Sequence, residues 1–203
     1  MENLKILELF CGLGGWSKGF HDIFPDAEFY GVDIKDYGYP YNFIKADLND
    51  WEPDQEYDIV LASPPCTEFS IAKKWSQGTQ DERIGLDLIW RAFYLIEKIK
   101  PKFWIIENVR GLADFLPEPD EIVKYNRHKD GKAAYLWSNI GKLGFLECMI
   151  NYRSKTADKS KNYPNKNYKK PLNKKATCRT KVDRALIPLP LAHEVARKIH
   201  AQL

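Results

Sequence analysis

Apolar residues recur along the chain in short blocks that alternate between two periods. Segments at 4–10 (LKILELF), 28–34 (EFYGVDI), 41–48 (YNFIKADL), 57–63 (YDIVLAS) and 102–109 (KFWIIENV) carry compact apolar runs and predict strands. The segment 16–24 spaces Trp16, Phe20 and Ile23 or Phe24 as a helix does. The segment 85–100 repeats the pattern with Leu88, Ile89, Ala92, Leu95, Ile96 and Ile99. Further on, 133–145 predicts a helix, 146–153 a strand, and 187–203 an amphipathic helix that begins after prolines. Residues 154–181 are rich in Lys, Asn and Pro with almost no apolar positions, which predicts a loop or disordered limb. Strands alternating with helices imply parallel βαβ units and an α/β sandwich.

Composition narrows the class. The chain has 203 residues, 44% hydrophobic and 29% charged, values of a soluble globular protein with a real core. No apolar run approaches the roughly 20 residues of a membrane span. The start, MENLKILELF, lacks the features of a signal peptide. Cys11, Cys66, Cys148 and Cys178 show no CxxC or CxxH spacing, so neither a disulfide framework nor a metal site is expected, and a reducing, cytoplasmic setting fits. The charge of +3 conceals a division: residues 151–184 carry twelve Lys and Arg against two acids, a net +10 that leaves the remainder at −7. A basic limb on an acidic body suggests a polyanion partner, with Lys169, Lys170, Lys174, Lys175 and Arg179 as candidate contacts.

In parallel sheets ligands bind outside the carboxyl ends of the strands. Gly12, Gly14 and Gly15 follow the first strand, and Asp33 ends the second. Asp47 follows the third, Pro65 and Cys66 the fourth, and Glu107 ends the fifth. All five groups therefore fall on one rim. Glycines let the backbone turn tightly and approach a ligand. An acid about 20 residues later commonly takes a ribose hydroxyl pair, and Asp47 could receive an adenine amino group. Together they describe an adenosine-type cofactor in a doubly wound sheet; the loop is GxGG, so a dinucleotide is not specially favoured. Taken singly, each has a plainer alternative: an ordinary turn for the glycines, a cap or surface acid for Asp33, a turn former for Asp47, and a small buried hydrophobe for Cys66. Glu107 is the stronger clue, since a carboxylate closing the run FWII is costly unless paired or used.

The motifs LELFCGLGGWSKGF, GVDI, KADL, SPPCTEFS and WIIENVRGL, in this order and spacing, resemble those of DNA cytosine-5 methyltransferases over residues 4–112. The resemblance implies a Rossmann-like fold that uses S-adenosylmethionine, with a mostly parallel sheet. It implies that Phe10, Gly12, Gly14 and Gly15 line the cofactor, that Asp33 holds its ribose with Ile34 beside the adenine, and that Asp47 holds the adenine amino group with Leu48 on the ring. It further implies that Cys66 is the nucleophile toward C6 of a flipped cytosine, that Pro65 shapes its loop, and that Glu107 hydrogen-bonds N3 and the exocyclic amine. The partner implied is double-stranded DNA, with RNA open because one branch of the family acts on tRNA. Residues 1–153 form the expected catalytic domain, 154–184 the basic limb, and 185–203 a helix packing back on the catalytic domain.

The chain also departs from the family pattern. Pro64-Pro65-Cys66-Thr67 stands where Gly-Pro-Cys-Gln is usual. The Gln-x-Arg-x-Arg motif has no clear counterpart beyond CRTKVDR at 178–184, Arg184 stands where Asn is usual, and no large target-recognition domain is expected. SPP is also found in amino-methyltransferases, but there an aromatic residue follows, where this chain has Cys66. A non-catalytic nucleic-acid-binding homologue, or one subunit of a split enzyme whose partner supplies recognition, stays open.

Overall fold

The computed structural model describes residues 3–69, 81–124, 133–143 and 187–203. Five strands run parallel in one sheet: β1 (Lys5–Leu9), β2 (Glu28–Asp33), β3 (Asn42–Lys45), β4 (Ile59–Ala62) and β5 (Phe103–Asn108). Two more, β6 (Glu121–Lys124) and β7 (Ala133–Ser138), complete the order β3-β2-β1-β4-β5-β7-β6. β7 is antiparallel to both of its neighbours. Among the described residues three α-helices cover the sheet: α1 (Gly15–His21), α2 (Glu82–Ile99) and α3 (Leu189–His200).

The four residues of β4 are all buried, as expected for a central strand covered on both faces. Alternation sends Ile6, Ile59, Leu61 and Ile105 to one face, where Trp16 and Phe20 of α1 and Leu191, Val195 and Ile199 of α3 meet them. Leu7, Leu9, Val60 and Ile106 go to the other, under Ile89, Ala92 and Leu95 of α2. The sheet is thus doubly wound. α2 starts at Asp81, whose side chain accepts the Arg83 N–H (3.2 Å), and ends at Lys100 in the left-handed region (φ 53°). α3 opens on Pro188 and Pro190, residues that start helices readily.

Two expectations are corrected here. The segment predicted as a helix over 133–145 is the strand β7 as far as Ser138. Ala134 and Leu136 fall on one face while Tyr135 and Trp137 join the opposite core, a period of two that the Leu136–Ile140–Leu143 spacing had masked. β6 was not expected at all, because its four residues hold only two apolar positions, Ile122 and Val123. The predicted strand at 146–153 and the basic limb with Lys169, Lys170, Lys174, Lys175 and Arg179 lie outside the described residues.

α3 lies against α1 at close range. A Cβ on Gly19 would come within 2.4 Å of the Ala192 Cβ. Gly19→Ala is therefore expected to destabilise the fold. The overpacking cost of roughly 1–3 kcal/mol exceeds the helix-propensity gain of about 1 kcal/mol. Urea unfolding checks this: a lower midpoint is expected, restored by adding Ala192→Gly, whereas an unchanged midpoint in Gly19→Ala contradicts the close packing.

Candidate active site

Strand order reverses between β1 and β4: β2 and β3 step away on one side, β5 on the other. Ligands of doubly wound sheets bind at such a point. The chain leaves β1 through a contorted turn. Phe10 (φ 56°) and Gly12 (φ 51°) both lie in the left-handed region, which is strained for Phe10 and open to glycine. The turn is tied to the end of β2, since the Cys11 N–H donates to the Val32 carbonyl (3.2 Å) and the Gly12 N–H to Asp33 Oδ2 (3.0 Å). The Ala46 N–H donates to the Asp33 carbonyl (3.0 Å), bringing the end of β3 and then Asp47 to the same edge. Ile34, just past Asp33 at the end of β2, is 62% exposed, a large apolar side chain left uncovered. Leu48 is instead buried in the core beneath α2.

Below the turn lies a buried polar cluster that the sequence reading missed. Glu8 on β1 accepts hydrogen bonds from the Ser17 N–H (2.9 Å), the Ser17 hydroxyl (2.5 Å) and the Trp16 N–H (3.3 Å), and so satisfies the first turn of α1. Ser17 also shares a hydrogen bond with the Tyr39 hydroxyl (2.6 Å), whose ring packs under Gly14 and Gly31. Burial pushes the Glu8 carboxyl up to about 7 despite these donors, and burial also raises the Cys11 thiol and the Tyr39 phenol. The available signal was an acid inside the apolar run LKILELF at a position of inward parity.

β4 delivers Ser63, Pro64, Pro65 and Cys66 to the rim beside β5, which delivers Glu107 and Asn108. The loop is held at both ends. The buried Asn108 donates from Nδ2 to the Pro64 carbonyl (3.0 Å). Beyond Cys66 a short 3₁₀ turn (Thr67–Phe69) buries Phe69 so tightly that a Cβ on Gly111 would meet its carbonyl oxygen at 2.1 Å and one on Gly85 its ring at 2.6 Å. The Glu68 carboxylate accepts the Asp81 N–H (2.8 Å) at the start of α2. Cys66 itself is partly accessible. Glu107 is partly accessible as a residue, yet burial pushes its carboxyl up to about 7, opposed by a hydrogen bond from Ser63.

Residues 4–120 match the C-5 cytosine-specific DNA methylase family. The chain belongs to that family. A C-5 cytosine methylase takes its methyl group from S-adenosylmethionine. Among relatives, a frog virus 3 protein described as "Probable DNA (cytosine-5)-methyltransferase" is 30% identical over 163 residues, covering 68% of this chain and 71% of its own. The type II methyltransferase M.HaeII of Haemophilus aegyptius is 36% identical over 125 residues, 56% of this chain but 37% of its own. A solved DNA modification methyltransferase candidate from an Escherichia coli prophage aligns over 67% of this chain and 46% of its own, with 18% identity and a TM-score of 0.47. The methylase thus spans over two thirds of the viral relative and little more than a third of M.HaeII. Among the described residues no helix is long and apolar enough to cross a membrane.

Proposed function

We propose that this chain methylates C5 of cytosine in double-stranded DNA, with Cys66 as nucleophile and Glu107 as the acid that engages the base. The observation that carries the reading is one juxtaposition. Cys66 and Glu107 leave adjacent parallel strands at the same edge, and Asn108, next to Glu107, hydrogen-bonds the loop that holds Cys66. The cofactor turn after β1 opens on that edge beside β4.

The residues present suit S-adenosylmethionine. The turn leaves backbone at Phe10 and Gly12 partly accessible for the methionine part, with Gly14 and Gly15 buried behind it, Asp33 suits the ribose hydroxyls, and the uncovered Ile34 suits the adenine face, with Asp47 near its amino group. The buried Leu48 supports that wall from behind. When bound, the cofactor supplies a sulfonium-activated methyl group. Asp33→Ala is expected to weaken its binding about tenfold to a hundredfold, since hydrogen bonds to a charged acceptor contribute roughly 1.5–3 kcal/mol. Calorimetry giving equal affinity in both proteins contradicts this placement.

The base must leave the stack to reach the rim. Cys66 Sγ, as thiolate, adds to C6 while the protonated Glu107 hydrogen-bonds N3, which steadies the charge that addition places on the ring. C5 becomes nucleophilic and accepts a methyl group. Loss of the C5 proton to a base and expulsion of Cys66 restore the ring. The basic residues of 151–184, Lys169, Lys170, Lys174, Lys175 and Arg179 among them, are assigned to phosphate contact on the strength of their charge. An RNA substrate, or a partner subunit that supplies recognition, is the alternative that the same chemistry allows.

Duplex DNA containing 5-fluorocytosine tests the mechanism, because fluorine cannot leave C5 as a proton would. With S-adenosylmethionine present, a covalent protein–DNA species should persist on a denaturing gel. Its absence from a protein that binds both ligands overturns the adduct.

A further inference from the structure

Trp16 touches both branches of the site. Its main-chain N–H donates to Glu8 Oε1, and its indole Nε1–H donates to Ser63 Oγ (3.0 Å). Ser63 and Glu107 follow the paired Ala62 and Ile106 of β4 and β5, which sets them side by side, and the Ser63 hydroxyl lowers the Glu107 carboxyl against its burial. Strand alternation explains the meeting. Ile6, Leu61 and Ile105 face α1, so Glu8, Ser63 and Glu107, each two residues further on, turn to the same side. Trp16 is fully buried between α1 and the sheet, with its ring edge-on to Phe20 (6.2 Å), so its indole has no room to swing away.

The direction of the chain of hydrogen bonds follows from its donors. An indole N–H only donates. It engages a lone pair of the Ser63 oxygen and leaves the hydroxyl hydrogen to point at the carboxylate, which only accepts when ionised. We propose that Trp16 and Ser63 are positioning residues for Glu107, the indole fixing Ser63 as a donor and the hydroxyl aiming the carboxyl at the base. The inference rests on the reading of Glu107 as the acid that engages the base. It also joins the two halves of the site, because Trp16, in the first turn of α1 behind the cofactor turn, is the residue that orients Ser63.

A donor to a carboxylate favours its charged form. Ser63 therefore works against the burial that raises Glu107, and removing the hydroxyl should raise its proton affinity further. Among the described residues, Glu8 shares the face of Glu107 two strands away, beyond Trp16. The partner of Glu107 on β7 is Leu136, with Tyr135 next to it, Glu121 lies beyond Leu136 on β6, and Cys66 follows on the loop after β4. Burial and Ser63 are the influences that act on this carboxyl.

The test is a carbon-13 NMR titration of glutamate-labelled protein, with Glu107→Gln identifying the resonance, run beside the pH profile of kcat/KM. In Ser63→Ala the Glu107 midpoint should move up by about one pH unit, the scale of one charge-assisted hydrogen bond, and the rate relative to Glu107→Gln should hold to a correspondingly higher pH. Ser63→Thr, which keeps a hydroxyl, should titrate as the wild type does. Trp16→Phe should shift the midpoint in the same direction but less, and serves as the decisive variant if Ser63→Ala does not fold. An unmoved midpoint in Ser63→Ala, or in Trp16→Phe where that variant decides, overturns the proposal, as does a Ser63→Thr midpoint moved as far as that of Ser63→Ala. If the wild type methylates nothing while the NMR midpoint still shifts, the relay stands and the reading of Glu107 as a catalytic acid fails.

Discussion

Cys66→Ser should lose methylation by on the order of 10³-fold or more and form no adduct with 5-fluorocytosine DNA. A few per cent of an ordinary thiol is ionised at neutral pH, whereas a serine hydroxyl is scarcely ionised at all. Groups that act as a unit in a covalent mechanism lose most of their effect together when the nucleophile goes. The change is small in volume, and the loop is held elsewhere, by Asn108 at Pro64 and by Phe69 against Gly85 and Gly111. The variant should therefore fold and bind S-adenosylmethionine with wild-type affinity. Calorimetry and a single-turnover assay decide it. Wild-type turnover in Cys66→Ser would reduce Cys66 to a small residue at the rim.

Glu107→Gln should cost roughly 10²–10⁴-fold, the usual share of a positioned acid or base. The pH dependence is the sharper signature. Burial pushes the Glu107 carboxyl up to about 7, so it keeps its proton below that pH and loses it above. Only the protonated form donates to N3. The ratio of the wild-type rate to the Glu107→Gln rate should therefore hold below 7 and fall about tenfold per pH unit well above it, as Glu107 gives up its proton. An amide does not titrate, so the thiolate dependence is common to both proteins and cancels in that ratio. A loss of less than about tenfold below pH 7, or a ratio that does not change with pH, would make Glu107 structural. The same sign governs stability. A carboxyl raised on folding stabilises the fold at acid pH, and that contribution is lost as pH rises through about 7.

Much of the rim was legible because parallel βαβ order places every strand's carboxyl end on one edge. Reading where each apolar run stopped was enough to bring Gly12, Asp33, Asp47, Cys66 and Glu107 together. The resemblance in SPPC and ENV then suggested the roles proposed for the two central residues. What escaped were contacts whose partners lie far apart in sequence. Ser63 looks like a loop residue until Trp16, 47 positions earlier, is laid against it. Glu8 reads as one polar position in a strand until α1 folds over it. Asn108 is adjacent to Glu107, yet its amide serves the Pro64 carbonyl across to β4. The helix expected over 133–145 failed for a different reason. Leu136, Ile140 and Leu143 satisfy a helical period by chance, while Tyr135 and Trp137 have the bulk that a pleated, two-sided surface accepts. Leu48 shows the reverse case, where a residue assigned to the adenine lies in the core behind the wall it was expected to line.

The most direct test incubates the purified chain with S-adenosylmethionine and unmethylated duplex DNA, in parallel with an RNA pool, followed by digestion to nucleosides and mass spectrometry. The account predicts 5-methyl-2′-deoxycytidine from the duplex, lost in Cys66→Ser. Methyl groups found on an exocyclic nitrogen, or only in RNA, would contradict it.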